Sequence, residues 1–515
     1  MMQLSVILAY LGLMLLIGYA ANRSFRGTAV DYLVASRSLG PVLLLLSLFS
    51  TTMTAFALVG STGRSYTLGI GVYGMLASAS GIVHSMCFFL IAVPLWSFGK
   101  RYGYTTQIQF FRERLDNSWI GLLLFPFLVG LVVSYALLGV VGSGAVVSGV
   151  TRGAFAELGW FRESGYGVPA PLASAIVSGV VLAYVIFGGM RGTAWANAFQ
   201  TLLFVSFGIA TFVIIARALG GTDSLAENMR RAFMAASESH LSRARIPKPI
   251  YFSFLFIPLS VATFPHVFQN WLTARSARAF KLPIVAYPIL IMILWLPCVS
   301  LGVWASSPMS GVPANTDENR VLAMLVSQHA GPLLAGLLTA GVLAASMSFD
   351  SQIIALGTMF TEDVVVHYRR RSGFTDRQVV VMTRLFITGI LVLTYVLSLF
   401  PRAIFDLGLW SFSGFTGLFP LVFASVYWRR LTAAGAIASV TVTFVTWGGL
   451  FYRSGFGQDA KYAFPETALA IGGGWAIPPM LPVVAILAAS TLTLVVVSLV
   501  TRPPAESTLA KFFPH

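Results

Sequence analysis

Charge is what this 515-residue chain has least of: charged residues make up 10% of it, against about 25% in a soluble globular domain. That deficit, beside a hydrophobic fraction of 57%, excludes a water-soluble fold and points to a polytopic membrane protein. Cysteine is nearly absent. Cys87 and Cys298 both fall in apolar stretches, so neither a disulfide framework nor a cysteine metal site follows. The chain has no nucleotide-binding loop, no metal-ligand motif and no nucleophile–base constellation, so it reads as a non-enzyme without a cofactor. No basic segment precedes the first apolar run, which argues against a cleaved signal peptide; residues 4–20 read as the first retained span. The net charge of +15 is spread over many short loops. The bilayer is therefore the expected partner, and nucleic acid is not.

What is there is a succession of about thirteen apolar stretches near the ~20-residue length a helix needs to cross a bilayer. They cover residues 2–22, 39–61, 71–98, 119–147, 169–189, 193–217, 250–268, 283–305, 333–358, 379–400, 407–428, 431–452 and 479–501. The expected fold is all-α, a single integral membrane unit over 1–515. Basic residues collect in alternate breaks: Arg23, Arg26 and Arg37; Lys100, Arg101, Arg112 and Arg114; Arg191; Arg275, Arg278 and Lys281; Arg369, Arg370, Arg371 and Arg377; Arg429 and Arg430; Arg502 and Lys511. Such loops stay cytoplasmic. The N-terminus is then outside and the C-terminus cytoplasmic, as an odd number of spans requires. Segments 224–236 and 317–328 read as partly helical and external. The tail after Arg502 is short and polar.

The stretch from Leu39 to Tyr66 is long enough to span, yet its middle suits a plain helix poorly. Ser50, Thr51, Thr52 and Thr54 sit together, and Gly60 and Gly63 follow. Small hydroxyl side chains compete with the helical ladder. Within a membrane, a broken helix is tolerated where its freed groups line a cavity or a site. An ordinary helix packed through small residues is the alternative. Pro258 and Pro265 interrupt 251–266 in a similar way, each removing a backbone donor.

Five stretches resemble the sodium:solute symporter family, which includes bacterial proline, galactose and sialic-acid symporters. They are DYLVASRSLGP at 31–41, GGMRGTAWANAFQ at 188–200, FPHVFQNWLTARSARAFK at 264–281, LAASMSFDSQIIALGTMFTEDV at 343–364 and SGFTGLFPLVFASVYWRR at 413–430. The resemblance implies a leucine-transporter-type, five-plus-five inverted repeat, 39–217 and 250–428, with discontinuous spans two and seven. Residues 2–22 and 431–501 would be peripheral helices. It also implies Na+ coupling. Carbonyls of Ser50, Met53 and Ala344 would hold the ion, with side chains at two adjacent positions of span nine, here Met347 and Ser348. Met347 departs from the pattern, because a thioether is a poor ligand for a hard cation. Asn197 departs too, since the family has an acid there. Asp350 stands where the family has a small residue.

Ala344, Ser348 and Ser351 share one helix face at i, i+4 and i+7. Asp350 is the one acid placed deep in a span, where charge costs about 2.5–3.5 kcal/mol. Asn197, Asp350 and Ser351 are expected beside the cation, with an Asn197 amide bonded to the Asp350 carboxylate. The solute would lie between spans two, three, seven and eleven. Thr51, Thr52, Thr54 and His84 are its candidate polar contacts, and Phe252, Phe256 and Trp410 its aromatic wall. The expected function is cation-coupled import of a small polar organic solute, with Na+ or H+ as the coupling ion and the plasma membrane as location. A passive facilitator and a transport-dead sensor with the same fold are the alternatives. Oligomeric state and solute identity are not legible.

The loop charges generate a topology prediction. Arg23, Arg37 and Arg369 face the cytoplasm and Glu227 faces outside. Single cysteines at 23 and 369 should react with an impermeant maleimide only in inside-out vesicles, and one at 227 only in right-side-out vesicles. Reaction of both groups from one side would refute the topology.

Overall fold

The computed structural model describes residues 2–23, 28–157, 159–369, 374–400, 403–458, 470–471, 475–476 and 479–513. Arg26, Arg370 and Arg371 of the basic loops, and part of the peripheral 431–501 segment, lie outside these. The described fold is all-helical apart from a two-residue ladder, Ala470–Ile471 with Trp475–Ala476, and one isolated bridge. Ten described helices are long and apolar enough to cross a membrane, and two bent helix pairs raise the candidates to twelve. The helical run Ala170–Gly220 is two helices joined at Gly189, which leaves the helical region at φ 53° and ψ −154°. Unbroken, its 51 residues would reach about 77 Å, more than twice the hydrocarbon thickness, and the break falls where the sequence divides 169–189 from 193–217. A side chain at Gly189 is barred twice: by the positive φ, and by Tyr32, whose ring would lie 2.7 Å from an added Cβ.

The bent pairs are the interrupted spans. Pro41–Thr52 and Phe56–Leu68 meet at 59°. Met53 leaves the helical region at φ −89°, ψ 75°, and Thr54 Oγ1 accepts the Phe56 amide at 3.3 Å to start the next segment. The break therefore falls at the end of the hydroxyl cluster. In the second pair, Lys248–Ala262 meets Pro265–Leu272 at 46°. Its first half winds into a 3-10 helix over Phe254–Ala262. Pro265 then opens the second half, where a missing amide costs no intrahelical bond.

Two of the sequence motifs close one end of this pair. Leu39 N donates to Thr273 O at 2.9 Å and Arg275 N donates to Leu39 O at 3.0 Å, a parallel bridge across Leu39 and Ala274. Arg37 Nη2 reaches Tyr104 O at 2.6 Å, and Trp96 Nε1 donates to Ala274 O at 2.8 Å. Asp31 joins the first motif to the second through Arg191 at 2.6 Å. The opposite end of span two is closed by charge. Arg64 pairs with Asp406 and with Glu318 at 3.5 Å, lies over the Phe405 ring at 4.7 Å, and Thr67 Oγ1 donates to Glu318 at 2.9 Å. The segments expected to be partly helical hold Leu225–Met234 and all but the last residue of Val321–His329.

Span nine, Pro332–Ser346 continued by Asp350–Met359, packs on the long helix Trp119–Val150 through glycine. A Cβ at Gly139 would come within 2.3 Å of Ser346 O and 2.5 Å of the Phe349 ring, whereas one at Gly130 meets nothing within 4 Å. Gly139→Ala should therefore overpack the interface at a cost of about 1–3 kcal/mol and lower the thermal inactivation midpoint in detergent. Gly130→Ala should leave it unchanged or raise it slightly. Equal midpoints for the two variants would contradict this packing.

Candidate functional site

The break in span two lies beside the kinked 170–220 helix and span nine, and the polar residues of all three meet there. Ser50 Oγ donates to Asn197 Oδ1 at 3.3 Å. Asn197 Nδ2 donates to Ser351 Oγ at 2.7 Å. The Ser351 hydroxyl and amide both donate to Asp350 Oδ1, at 3.2 and 2.5 Å. Tyr184 donates to Asp350 Oδ2 at 2.9 Å. Every member is buried. Each donor in the series points toward Asp350, which in its ionised form only accepts. Among the described residues no cationic side chain stands within ion-pairing distance of it.

The expected direct bond from Asn197 to Asp350 is absent. The carboxylate sits at the first turn of Asp350–Met359 and turns to its neighbour's amide and to Tyr184, so Ser351 stands between the two residues. Gln200, one turn beyond Asn197, also accepts from Ser50, at 3.5 Å. Sequence reading missed Gln200 and Tyr184. The signal for the first was available, since Asn197 and Gln200 share a face at i, i+3 of an apolar helix. Nothing marked Tyr184 in advance.

The remaining cation candidates also lie at the interruptions. Met53 is the break residue itself. Span nine switches to a 3-10 turn over Met347–Phe349, just past Ala344, which changes the carbonyl pairing of that turn. Ser348 Oγ donates back to Ala345 O at 2.8 Å, which leaves the oxygen's lone pairs available. Met347 is fully buried and offers only sulfur. Hydroxyl, carbonyl and carboxylate oxygens make a donor set suited to a hard monovalent cation. No cluster of His, Cys, Asp and Glu fit for a transition metal occurs among the described residues.

A cavity of ≈ 40 Å³ adjoins the breaks, lined by Thr52, Met53, His84, Tyr135, Phe264, Trp295 and Phe412 among others. It has room for waters and falls far below the volume of an organic ligand site. Thr52 Oγ1 pairs with the Tyr287 hydroxyl, and Tyr135 donates to Thr52 O at 3.3 Å. Among the described residues, His84 Nδ1 and Thr51 Oγ1 have no hydrogen-bond partner. Thr54 is occupied in starting the second half of span two.

The aromatic wall differs from expectation. Phe252 and Phe256 are 58% and 40% exposed, and Trp410 packs against Phe451 at 5.5 Å instead of lining the cavity. Phe256 lies in the 3-10 stretch, where three residues per turn put Phe254, Ile257 and Ser260 in the inner row and leave it outside that row; Phe252 sits in the α-helical turn before it, Lys248–Ser253. Phe264 and Phe412 supply the wall that those residues do not.

A sequence profile described as the sodium:solute symporter family matches residues 32–443. The chain is similar to the high-affinity proline transporter PutP of Bacillus subtilis, 26% identical over 84% of this chain and 89% of that protein. It is also similar to a sodium/proline symporter of Haemophilus influenzae, 23% identical over 97% and 94% of the two chains. Its fold matches a solved structure of a Na+-coupled sialic acid symporter in a substrate-bound, outward-open state, with a TM-score of 0.70, 17% identity and 98% coverage of both chains. With the profile spanning four of its five recognised motifs whole and the fold matched end to end, this chain belongs to the sodium:solute symporter family.

Proposed function

We propose that this protein is a Na+-coupled secondary symporter that imports a small polar organic solute across the plasma membrane and leaves it chemically unchanged. The observation that carries the reading is Asp350. A carboxylate buried in the membrane with three hydrogen-bond donors and, among the described residues, no cationic partner is left with its charge uncompensated when ionised, and a monovalent cation in transit is its natural counter-charge. Ser50, Met53, Ala344 and Ser348 form the oxygen set of one cation position, with Met347 as its weak point. Asn197, Ser351 and Asp350 form the adjoining set that carries the negative charge.

The solute occupies the region of Thr51, Thr52 and His84, enlarged when one helix group rocks against the other about the two breaks. The repeats 39–217 and 250–428 each contribute one of the broken spans, with the N-terminus outside. The proline and sialic acid relatives support a solute of that size without choosing one. A carboxylate on span nine together with Met347 favours H+ as the second reading of the coupling ion. Uptake of labelled amino acids, sugars and organic acids into proteoliposomes, under imposed Na+ or H+ gradients, decides between them. Uptake that follows neither gradient would overturn coupled symport.

Two variants test the residues. Ser348→Ala removes one hard oxygen and leaves a side chain that fits, so it should raise the Na+ concentration for half-maximal uptake about tenfold, equivalent to ~1.4 kcal/mol, at normal expression. An unchanged Na+ dependence would count against the first position. Asp350→Ser should abolish coupled uptake, and Asp350→Ser with Asn197→Asp should restore it by returning the charge across the Ser351 bridge. A double variant no better than the single one would overturn the exchange of charge between the two positions.

A further inference from the structure

A second, roomier cavity lies away from the breaks, at the end of span two closed by Arg64. It measures ≈ 570 Å³ and is lined by Tyr66, Thr67, His240, Arg245, Val312 and Asn315, with Ala305, Pro308 and Ala314 adding apolar surface. That volume suits a small organic molecule. None of its lining residues lines the cavity at the breaks. Among the described residues, Arg245 is the single charged side chain in the wall, and no acid lines it. Its guanidinium is held in place, Nε donating to Ser239 Oγ at 3.0 Å and Nη1 to Thr67 O at 3.0 Å. The outer edge of the fork is then left for a ligand.

His240 adds no second charge. Its Nε2 faces the Tyr66 carbonyl at 3.1 Å and must donate, while Nδ1 meets the Ser237 hydroxyl at 2.7 Å, a pattern the neutral ring satisfies. Burial first, and the neighbouring Arg245 second, hold its pKa below the usual histidine value, against the opposing pull of the Tyr66 carbonyl. One fixed positive charge in a roomy, partly apolar pocket matches one negative charge on an organic body; a dianion would leave charge uncompensated.

We propose that this pocket is a binding site for a small organic monocarboxylate, with Arg245 gripping the carboxylate and the Val312 side holding the apolar part. The proposal stands apart from the transport reading, because it requires no cation and no movement of the breaks.

The test uses the full-length protein in nanodiscs, where both faces are open to reagent. Cys87 and Cys298 are buried, so Ala314→Cys supplies the reactive thiol at the pocket rim. Saturating benzoate should slow maleimide labelling of that cysteine at least about fivefold by occupying the site, while benzamide and sulfate should not. Adding Arg245→Gln should raise the benzoate concentration for half-protection by about tenfold or more, and Arg245→Lys should fall between. Equal protection by benzamide, equal protection by sulfate, or benzoate protection that survives Arg245→Gln each overturns the assignment. The labelling rate without any ligand, unchanged between the Arg245 variants, shows that the pocket is still folded.

Discussion

A backbone amide or carbonyl inside a bilayer has no water to bond, so a helix can stop there only where protein supplies the missing partners. This constraint organises the whole molecule. Spans two and seven are interrupted; the 119–150 helix and span eleven reach both interruptions, while the 170–220 run packs on span two. The freed groups are met locally: Thr54 starts the second half of span two, and Thr263 Oγ1 reaches Ser260 O and Phe415 O at 2.8 and 2.9 Å. Ser47 bonds Asn270 at 2.7 Å and so ties the two broken spans together. The surrounding helices serve chiefly as the wall that makes two breaks affordable.

Within that wall the polar groups have a direction. Hydroxyl and amide donors from three helices converge on one carboxylate. Span nine thus carries a carboxylic acid and the helix opposite an amide, linked through Ser351. The two departures from the family pattern, at Asn197 and Asp350, therefore fall within one hydrogen-bonded chain.

The parts of this arrangement that were legible in the sequence are those governed by composition and local chemistry. Apolar length marked the spans, the hydroxyl run marked the break at Met53, and Pro265 marked the second. The buried Asp350 was marked by its rarity. What escaped was set by tertiary contact or by a local change of helical period. Phe256 falls in the 3-10 winding of Phe254–Ala262, whose inner row is Phe254, Ile257 and Ser260, a change of period that the residue types do not announce. Trp410 faces Phe451 because a neighbouring helix covers it, which no periodicity records. Tyr184 reaches Asp350 across 166 positions of sequence, and a lone tyrosine in an apolar span carries no sign of such a partner.

The two ends of span two are fastened by different forces, and the difference has a thermodynamic consequence. At Leu39 the fastening is a pair of main-chain hydrogen bonds, whose strength is nearly indifferent to dissolved ions. At Arg64 it is a cluster of opposite charges with side chains 12–20% exposed, within reach of a Debye length of about 8 Å at physiological ionic strength. Salt loosens the Arg64 end, where the ion-pairing side chains are all partly exposed, more than the Leu39 end, whose backbone bonds it leaves untouched and whose ion pair, Asp31–Arg191, has a buried acid. The composition of the medium thus weighs unequally on the two ends of span two.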